Sequence, residues 1–269
     1  MKDRLWNTIQ AVRENAPLVH NITNYVVMNN TANALLAAGA SPVMAHAHSE
    51  IEAMTGIAGA LVVNIGTLDE YWVESMRRAV KQAESLHKPW VLDPVGAGAT
   101  PYRNRVLEEL LQYKPTVIRG NASEILALAS MGTGTKGVDS TNQSSEALEA
   151  ALALSQRIGA VVCVSGAEDL VVQQEQHLLL ANGHPLMARI TGMGCTATAL
   201  IAACCAVTPD QALQATAAAM ALMGVAGEMA AEKAAGPGTL QLHFLDMLHT
   251  ISENDFMQRL KLEQRHEAL

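Results

Sequence analysis

The sequence predicts an α/β protein: a mostly parallel central sheet flanked by helices, in a single domain over residues 1–269. Three observations carry that expectation. Short β-branched runs alternate with helical segments, the pattern of parallel strands joined by crossover helices. The strands end in polar or Gly-rich turns, and polar groups gathered at strand C-termini are where open α/β sheets bind ligands. The chain also shows no linker, internal repeat or low-complexity block, and its length suits one large domain better than two.

The elements follow in order. Predicted strands are Leu18–His20, Ser41–Met44, Leu61–Asn64, Trp90–Leu92, Val117–Arg119 and Ala160–Val164. Between them, Val26–Ala38 is an apolar helix with Gly39 as its stop, and Leu68–His87 carries Asp69 and Glu70 in its first turn, as the helix dipole favours. Tyr102–Gln112, Asn121–Ala129 and Ser144–Ile158 also read as helices. Leu170–Gln173 and Leu178–Leu180 form a late hairpin around 174–177. A long helical region follows, broken near Thr208-Pro209-Asp210 and at Gly236-Pro237-Gly238. The charged tail, Ser252–Leu269, reads as a final exposed helix.

Composition narrows the function. Hydrophobic residues make up 49% of the chain and charged residues 16%, well below the ~25% of an ordinary soluble domain. That excludes a disordered chain and points to surface buried against neighbours, hence an oligomer. The net charge of −8 and the lack of a Lys/Arg cluster argue against nucleic acid as a partner. A phosphorylated ligand remains compatible, since backbone amides and one or two cations can hold it. The apolar stretches near 194–207 and 215–227 are shorter than the ~18–20 residues of a membrane span, and the polar opening has no signal-peptide core. Cys163, Cys195, Cys204 and Cys205 lack paired spacing. The expectation is a cytoplasmic protein with no membrane partner.

Four segments could carry chemistry. In Thr191-Gly192-Met193-Gly194-Cys195, two glycines precede an Ala/Leu-rich helix. Glycines admit close backbone approach, and free N–H groups at a helix start favour an anion, with a phosphoryl group the natural guest. A plain glycine turn into a helix explains the same residues. The match to G-x-G-x-x-A falls too late in the chain for a dinucleotide fingerprint and lacks its acidic partner. Cys195 stands at the helix N-terminus, a position that lowers a thiol pKa; the other three cysteines read as packing. In Arg119-Gly120-Asn121-Ala122-Ser123-Glu124, a capping box accounts for Asn121 and Glu124 but not for Arg119, whose fork of donors suits phosphate. Asn121 and Glu124 could equally hold a hydrated Mg²⁺. Asp93 closes a strand before Pro94, either as a turn cap or as a functional carboxylate. Asn21-Ile22-Thr23-Asn24 reads as a polar loop, for which helix capping is the plainer account. His46 and His48 read as loop residues, not metal ligands.

The ordered set HNITN at 20–24, SPVM at 41–44, DPVGAG at 93–98, IRGNASE at 118–124, VSG at 164–166 and GMGC at 192–195 resembles the hydroxyethylthiazole kinase family over essentially the whole chain. GPG at 236–238 and HFLD at 243–246 add to the resemblance. It implies a ribokinase-like fold and a Mg²⁺- and ATP-dependent kinase that phosphorylates the primary alcohol of 4-methyl-5-(2-hydroxyethyl)thiazole, in thiamine biosynthesis and salvage. It further implies a homotrimer with active sites at subunit boundaries. Arg119 and Ser165 match the family's ATP-contacting positions, and Met44 and Gly192 its thiazole-contacting ones, with Asn24 and Gly66 also lining the thiazole pocket. Glu124, with Asp93 and Asn121, matches the polar group around the metal, held through water. Cys195, with Gly192 and Gly194, stands at the catalytic turn, where sugar kinases of this fold carry an aspartate base. Met193 departs from the small or Thr residue that many family members carry between the glycines. Another ribokinase-like enzyme (a hydroxymethylpyrimidine kinase or a nucleotide-repair dehydratase) and a non-catalytic thiazole or nucleotide sensor are the competing readings.

Overall fold

The computed structural model describes residues 1–131 and 143–266. Its centre is a nine-stranded sheet in the order β2-β1-β3-β4-β5-β6-β7-β8-β9. The strands are β1 (Leu18–Ile22), β2 (Ser41–Val43), β3 (Ala60–Asn64), β4 (Trp90–Asp93), β5 (Val117–Asn121), β6 (Val161–Ser165), β7 (Asp169–Gln173), β8 (Gln176–Leu180) and β9 (Leu262–His266). The first six pair in parallel, and β7, β8 and β9 add an antiparallel wing.

Parallel strands are buried on both faces, so they read as unbroken apolar runs whose alternate residues serve opposite cores. Along β3, Ala60 and Val62 join one core, and Leu61 and Val63 the other. The first core is closed by α1 (Lys2–Asn15), α2 (Met28–Ala38), α8 (Met193–Val207), α9 (Ala212–Ala231), α10 (Pro237–Thr250) and α11 (Glu253–Arg259). The second is closed chiefly by α4 (Glu70–Ser85), α5 (Pro101–Leu111), α6 (Ala122–Ser130) and α7 (Gln143–Ile158), with α3 (Ile51–Ile57) packed on α4. The predicted mostly parallel sheet and flanking helices are therefore present.

Several expectations are corrected. Residues 262–266 of the tail form a strand, with Leu262 opposite Leu180 and Gln264 opposite Leu178. Their charged sequence favours a helix locally, but β8 offers an open edge and the backbone bonds it supplies prevail. Residues 267–269 lie outside the described residues. Asn21 and Ile22 belong to β1, so the predicted polar loop shrinks to Thr23 and Asn24 and their neighbours. Helix α1 was not predicted, although Leu5, Trp6, Ile9 and Val12 are spaced to bury one helical face. Helix α9 is long and apolar enough to cross a membrane, but 72% of that stretch is buried within the fold. Its all-round apolar surface comes from packing among α1, α8 and α10.

Backbone strain is placed unevenly. Among the described residues, the non-glycine residues with positive φ are Ala16, His87, Lys114 and Gln174. The first three lie where the chain enters β1, β4 and β5, and Gln174 sits in the β7–β8 turn, so all four are at the N-terminal end of the parallel strands. Around the opposite end, Gly96, Gly98 and Gly192 take positive φ instead.

Candidate active site

After β1 the chain runs outward to β2 and then returns across β1 to begin β3 on its other side. Such a reversal leaves a crevice at the strand C-termini, between β1 and β3. Asn24, just past β1, and Asn64, the last residue of β3, face each other there, and Asp93 ends the next strand. Helix α8 packs on β1, β3 and β4 and delivers Cys195 to the same point.

The polar groups form one connected set. Asn64 Nδ2 donates to Asp93 Oδ2 at 2.7 Å and to Cys195 Sγ at 3.2 Å. Asn24 Nδ2 donates to Asn64 Oδ1 at 2.9 Å and to Cys195 Sγ at 3.5 Å. Thr198 Oγ1, one turn beyond Gly194 on α8, donates to Asp93 Oδ2 at 2.9 Å. Gly66 N donates to Asn64 Oδ1 at 2.9 Å. A Cβ at Gly66 would lie 2.9 Å from Asn24 Cβ, so the glycine is required by close approach.

The electrostatics differ from the sequence expectation. The Cys195 thiol lies above its ordinary value, not below it. Burial, reinforced by the Asp93 charge, pushes it up to about 11, against the opposing N–H groups of Asn64 and Asn24. Burial also pushes the Asp93 carboxyl up, while Arg119 and the Thr198 and Asn64 hydrogen bonds act the other way.

Gly192 is the N-cap of α8, with φ 86° and no side-chain cap. The amides of Met193, Gly194 and Cys195 therefore have no partner within the helix and face outward. Beside them, Arg119 Nη2 donates to Ser165 Oγ at 2.5 Å, and Arg119 Nε is buried without a partner among the described residues. Gly194 is pressed against this guanidinium, since a Cβ there would overlap Arg119 Nη1. Arg119, Ser165 and Gly194 line one cleft of about 560 Å³, with Asp169, Asn182, Met187 and Met223 among its other walls. Asp169 accepts a hydrogen bond from Gly166 N, and burial pushes its carboxyl up to about 6.

The Asn121–Glu124 capping box is formed, as one reading of the sequence had it. Glu124 Oε2 accepts from Asn121 N at 2.8 Å, and Oε1 accepts from Gly96 N at 3.0 Å, which ties the Pro94–Gly98 loop to α6. Met44 follows the edge strand β2, outside the hydrogen-bonded set, and its carbonyl lies 3.3 Å from His46 Nδ1. His46 stacks on Trp72 and His48 on Tyr71. Cys163, Cys204 and Cys205 are buried, and all four cysteines are free.

The structure thus gathers Asn24, Gly66, Asp93, Gly192, Gly194 and Cys195 at one point, with Arg119 and Ser165 alongside and Asn121 and Glu124 at the junction of β5 and α6. Sequence reading missed Asn64, Thr198 and Arg103. Arg103 donates to the carbonyls of Val95 at 2.7 Å and Gly66 at 2.9 Å, clamping two rim loops together. Asn64 was legible only as a polar strand end. Arg103 and Thr198 carry no local signal, because each acts across the fold.

Residues 9–254 match the model of the hydroxyethylthiazole kinase family. The chain is 56% identical to a hydroxyethylthiazole kinase of Syntrophus aciditrophicus, over 97% of each chain. It is 57% identical to one of Leptothrix cholodnii, over 96% of this chain and 95% of that one. Among solved structures it is similar to a hydroxyethylthiazole kinase protein from Pyrococcus horikoshii, at 44% identity and a TM-score of 0.92, covering 99% of this chain and 100% of that one. Pyridoxal kinase from Staphylococcus aureus shares the fold at 16% identity, with a TM-score of 0.62 over 93% of this chain and 99% of that one.

Proposed function

The chain belongs to the hydroxyethylthiazole kinase family, and from that premise we propose how its residues phosphorylate the hydroxyethylthiazole alcohol with ATP, a step of thiamine biosynthesis. The observation that carries the assignment is the uncapped start of α8. Its free amides and the Arg119 guanidinium line one cleft, and the Cys195 sulfur, on the first turn of the same helix, faces Asn24 and Asn64.

Phosphoryl transfer requires mainly positioning and stabilisation of spreading charge. The amides at 193–195 and the α8 dipole stabilise the transferring phosphoryl oxygens. Arg119 adds a fixed cation, and Ser165, bonded to it, closes the ATP side. The thiazole lies over Asn24, Gly66 and Gly192, with Met44 at its outer edge, and its hydroxyl meets Cys195. The high thiol pKa favours an oriented neutral group over a preformed thiolate. Such a role is compatible with late deprotonation of the nucleophile.

Each carboxylate oxygen of Glu124 accepts one backbone N–H, leaving lone pairs for water. That suits Mg²⁺, which keeps several waters and binds through few carboxylates. Glu124, with Asn121 beside it and Asp93 beneath, would hold the ion through water. When bound, Mg²⁺ neutralises charge on the phosphates of ATP.

The assembly we assign is a homotrimer with its sites at subunit boundaries. Supporting it, Tyr25 and Val26, which adjoin Asn24, are exposed, as are Leu36, Ile57, Tyr71 and Leu242. Apolar surface beside a site suits coverage by a neighbouring copy. Free cysteines suit the reducing cytoplasm.

The test is ADP release and phosphate-ester formation with ATP, Mg²⁺ and hydroxyethylthiazole, with hydroxymethylpyrimidine as the parallel substrate. Thiazole-dependent turnover abolished by EDTA is expected. Turnover on the pyrimidine alone would transfer the assignment to that sister activity. Silence on both, in protein that still binds ATP, would favour a sensor or dehydratase.

A further inference from the structure

Asn24 and Asn64 are fully committed side chains, and their orientations follow from backbone groups that can only donate. Gly66 N donates to Asn64 Oδ1, and Val26 N donates to Asn24 Oδ1 at 3.1 Å. The oxygen of each amide is thereby identified, so each Nδ2 is fixed as the donor end. Asn64 then has two N–H groups. One goes to Asp93 and one to Cys195 Sγ. Asn24 likewise spends one on Asn64 Oδ1 and one on the same sulfur. The sulfur thus receives two N–H donors from the sheet side and finds no acceptor in either amide. Its own S–H must turn away from both.

We propose that Asn64 is a positioning residue for phosphoryl transfer: seated between Asp93 and Cys195, it fixes the sulfur as a hydrogen-bond acceptor on its buried side and so aims the thiol at the substrate hydroxyl. This rests on the reading that the hydroxyl lies at Cys195. Asn64 acts through Cys195 and touches no reacting atom. Asn24 shares the task through a longer bond and depends on Asn64 Oδ1 for its own placement. The arrangement also explains the buried polar end of β3. Asn64 is 1% exposed, and a buried amide is retained at low cost only when all its hydrogen bonds are made.

The test is a double-substitution cycle with Asn64→Asp and Cys195→Ala. Asn64→Asp keeps the oxygen that accepts from Gly66 and Asn24, but it cannot donate to Asp93 and Cys195 together. In the parent enzyme it should lower kcat about tenfold to a hundredfold, the scale of a lost hydrogen bond to a polar or charging group, with the thiazole KM changed less than about threefold. In the Cys195→Ala background the same change should cost less than about threefold. Full cost persisting without the sulfur would overturn the proposal, because Asn64 would then serve the scaffold. A second readout needs no turnover. The iodoacetamide alkylation rate at Cys195, located by mass spectrometry, should change several-fold in Asn64→Asp, and an unchanged rate would also overturn it. If Cys195→Ala leaves kcat intact, the reading of Cys195 itself fails, and the alkylation result still decides whether Asn64 orients the thiol. Asn64→Ser, smaller and still polar, serves if the aspartate variant does not fold.

Discussion

Replacing Gly194 with alanine should cost ATP binding more than it costs the fold, because the added Cβ meets the guanidinium directly. The added Cβ would stand 3.1 Å from both Cζ and Nη2 of Arg119 and overlap Nη1. The guanidinium has little room to give, since Nη2 is held by Ser165 at 2.5 Å and Nε is buried. It must therefore shift from the ATP side of the cleft. Losing one hydrogen bond to a charged group costs about 1.5–3 kcal/mol, and ~1.4 kcal/mol is tenfold in affinity. The KM for ATP should rise about tenfold to a hundredfold. Helix α8 itself gains from the change, since alanine is favoured over glycine within a helix by ~0.5–1 kcal/mol. Overpacking against the guanidinium costs about 1–3 kcal/mol and outweighs that gain, so the melting temperature should fall, but by no more than a few degrees. Coupled ADP-release kinetics against ATP, with thermal unfolding alongside, reads both effects. An unchanged ATP KM at full kcat would refute the contact between Gly194 and the ATP-binding cation. A large fall in both kcat and melting temperature would show damage to the helix instead.

Three further outcomes follow from the geometry. Cys195→Ser should retain part of the activity and Cys195→Asp should be tolerated or faster, since both offer an acceptor to the Asn24 and Asn64 N–H groups; a dead Cys195→Asp enzyme that still binds thiazole normally counts against the catalytic position. Cys195 alkylation by iodoacetamide should be slow at pH 7 and climb as pH rises from about 9 towards about 11, because burial favours the neutral thiol; a rate already maximal near pH 8 would contradict that. Asp169, raised from 3.8 to about 6, has a folded-state pKa above its unfolded one. Its contribution to stability is present below about pH 4 and lost as pH rises through 6. At ~1.4 kcal/mol per unit the loss is at most about 3 kcal/mol, so Asp169→Asn should melt higher than the parent at pH 8, with the gap closing toward pH 4, and a gap independent of pH would exclude this carboxyl as its source.

How much was legible in the sequence depended on the range of the forces involved. The strands and most helices announce themselves through local periodicity, and the turn at Gly192–Cys195 through two glycines before an apolar helix. The capping box at Asn121–Glu124 is a four-residue signal and was read as one of two alternatives. What local reading missed was set by distant partners. Residues 262–266 become a strand because β8 presents an edge some 80 residues away in sequence, near Leu180. The Cys195 thiol is raised where the sequence predicts it lowered: the helix end is visible in the sequence, but burial and the nearness of Asp93, 102 positions earlier, are not. Asn64 looked like any polar strand terminus until Asn24, Asp93 and Cys195 were seen around it.

The distribution of backbone strain has a consequence for how this protein can be altered. Ala16, His87, Lys114 and Gln174 hold left-handed conformations at the end of the sheet remote from Cys195. There a side chain tolerates a geometry that costs roughly 1 kcal/mol, and glycine would remove that cost while loosening the unfolded chain. The glycines of the catalytic rim allow no such exchange, because Gly192 holds a positive φ and at Gly194 the Arg119 guanidinium already occupies the space a Cβ needs. The two ends of the sheet are therefore separable workshops. One can be rebuilt for heat tolerance, tags or immobilisation, and the other keeps its backbone as it stands.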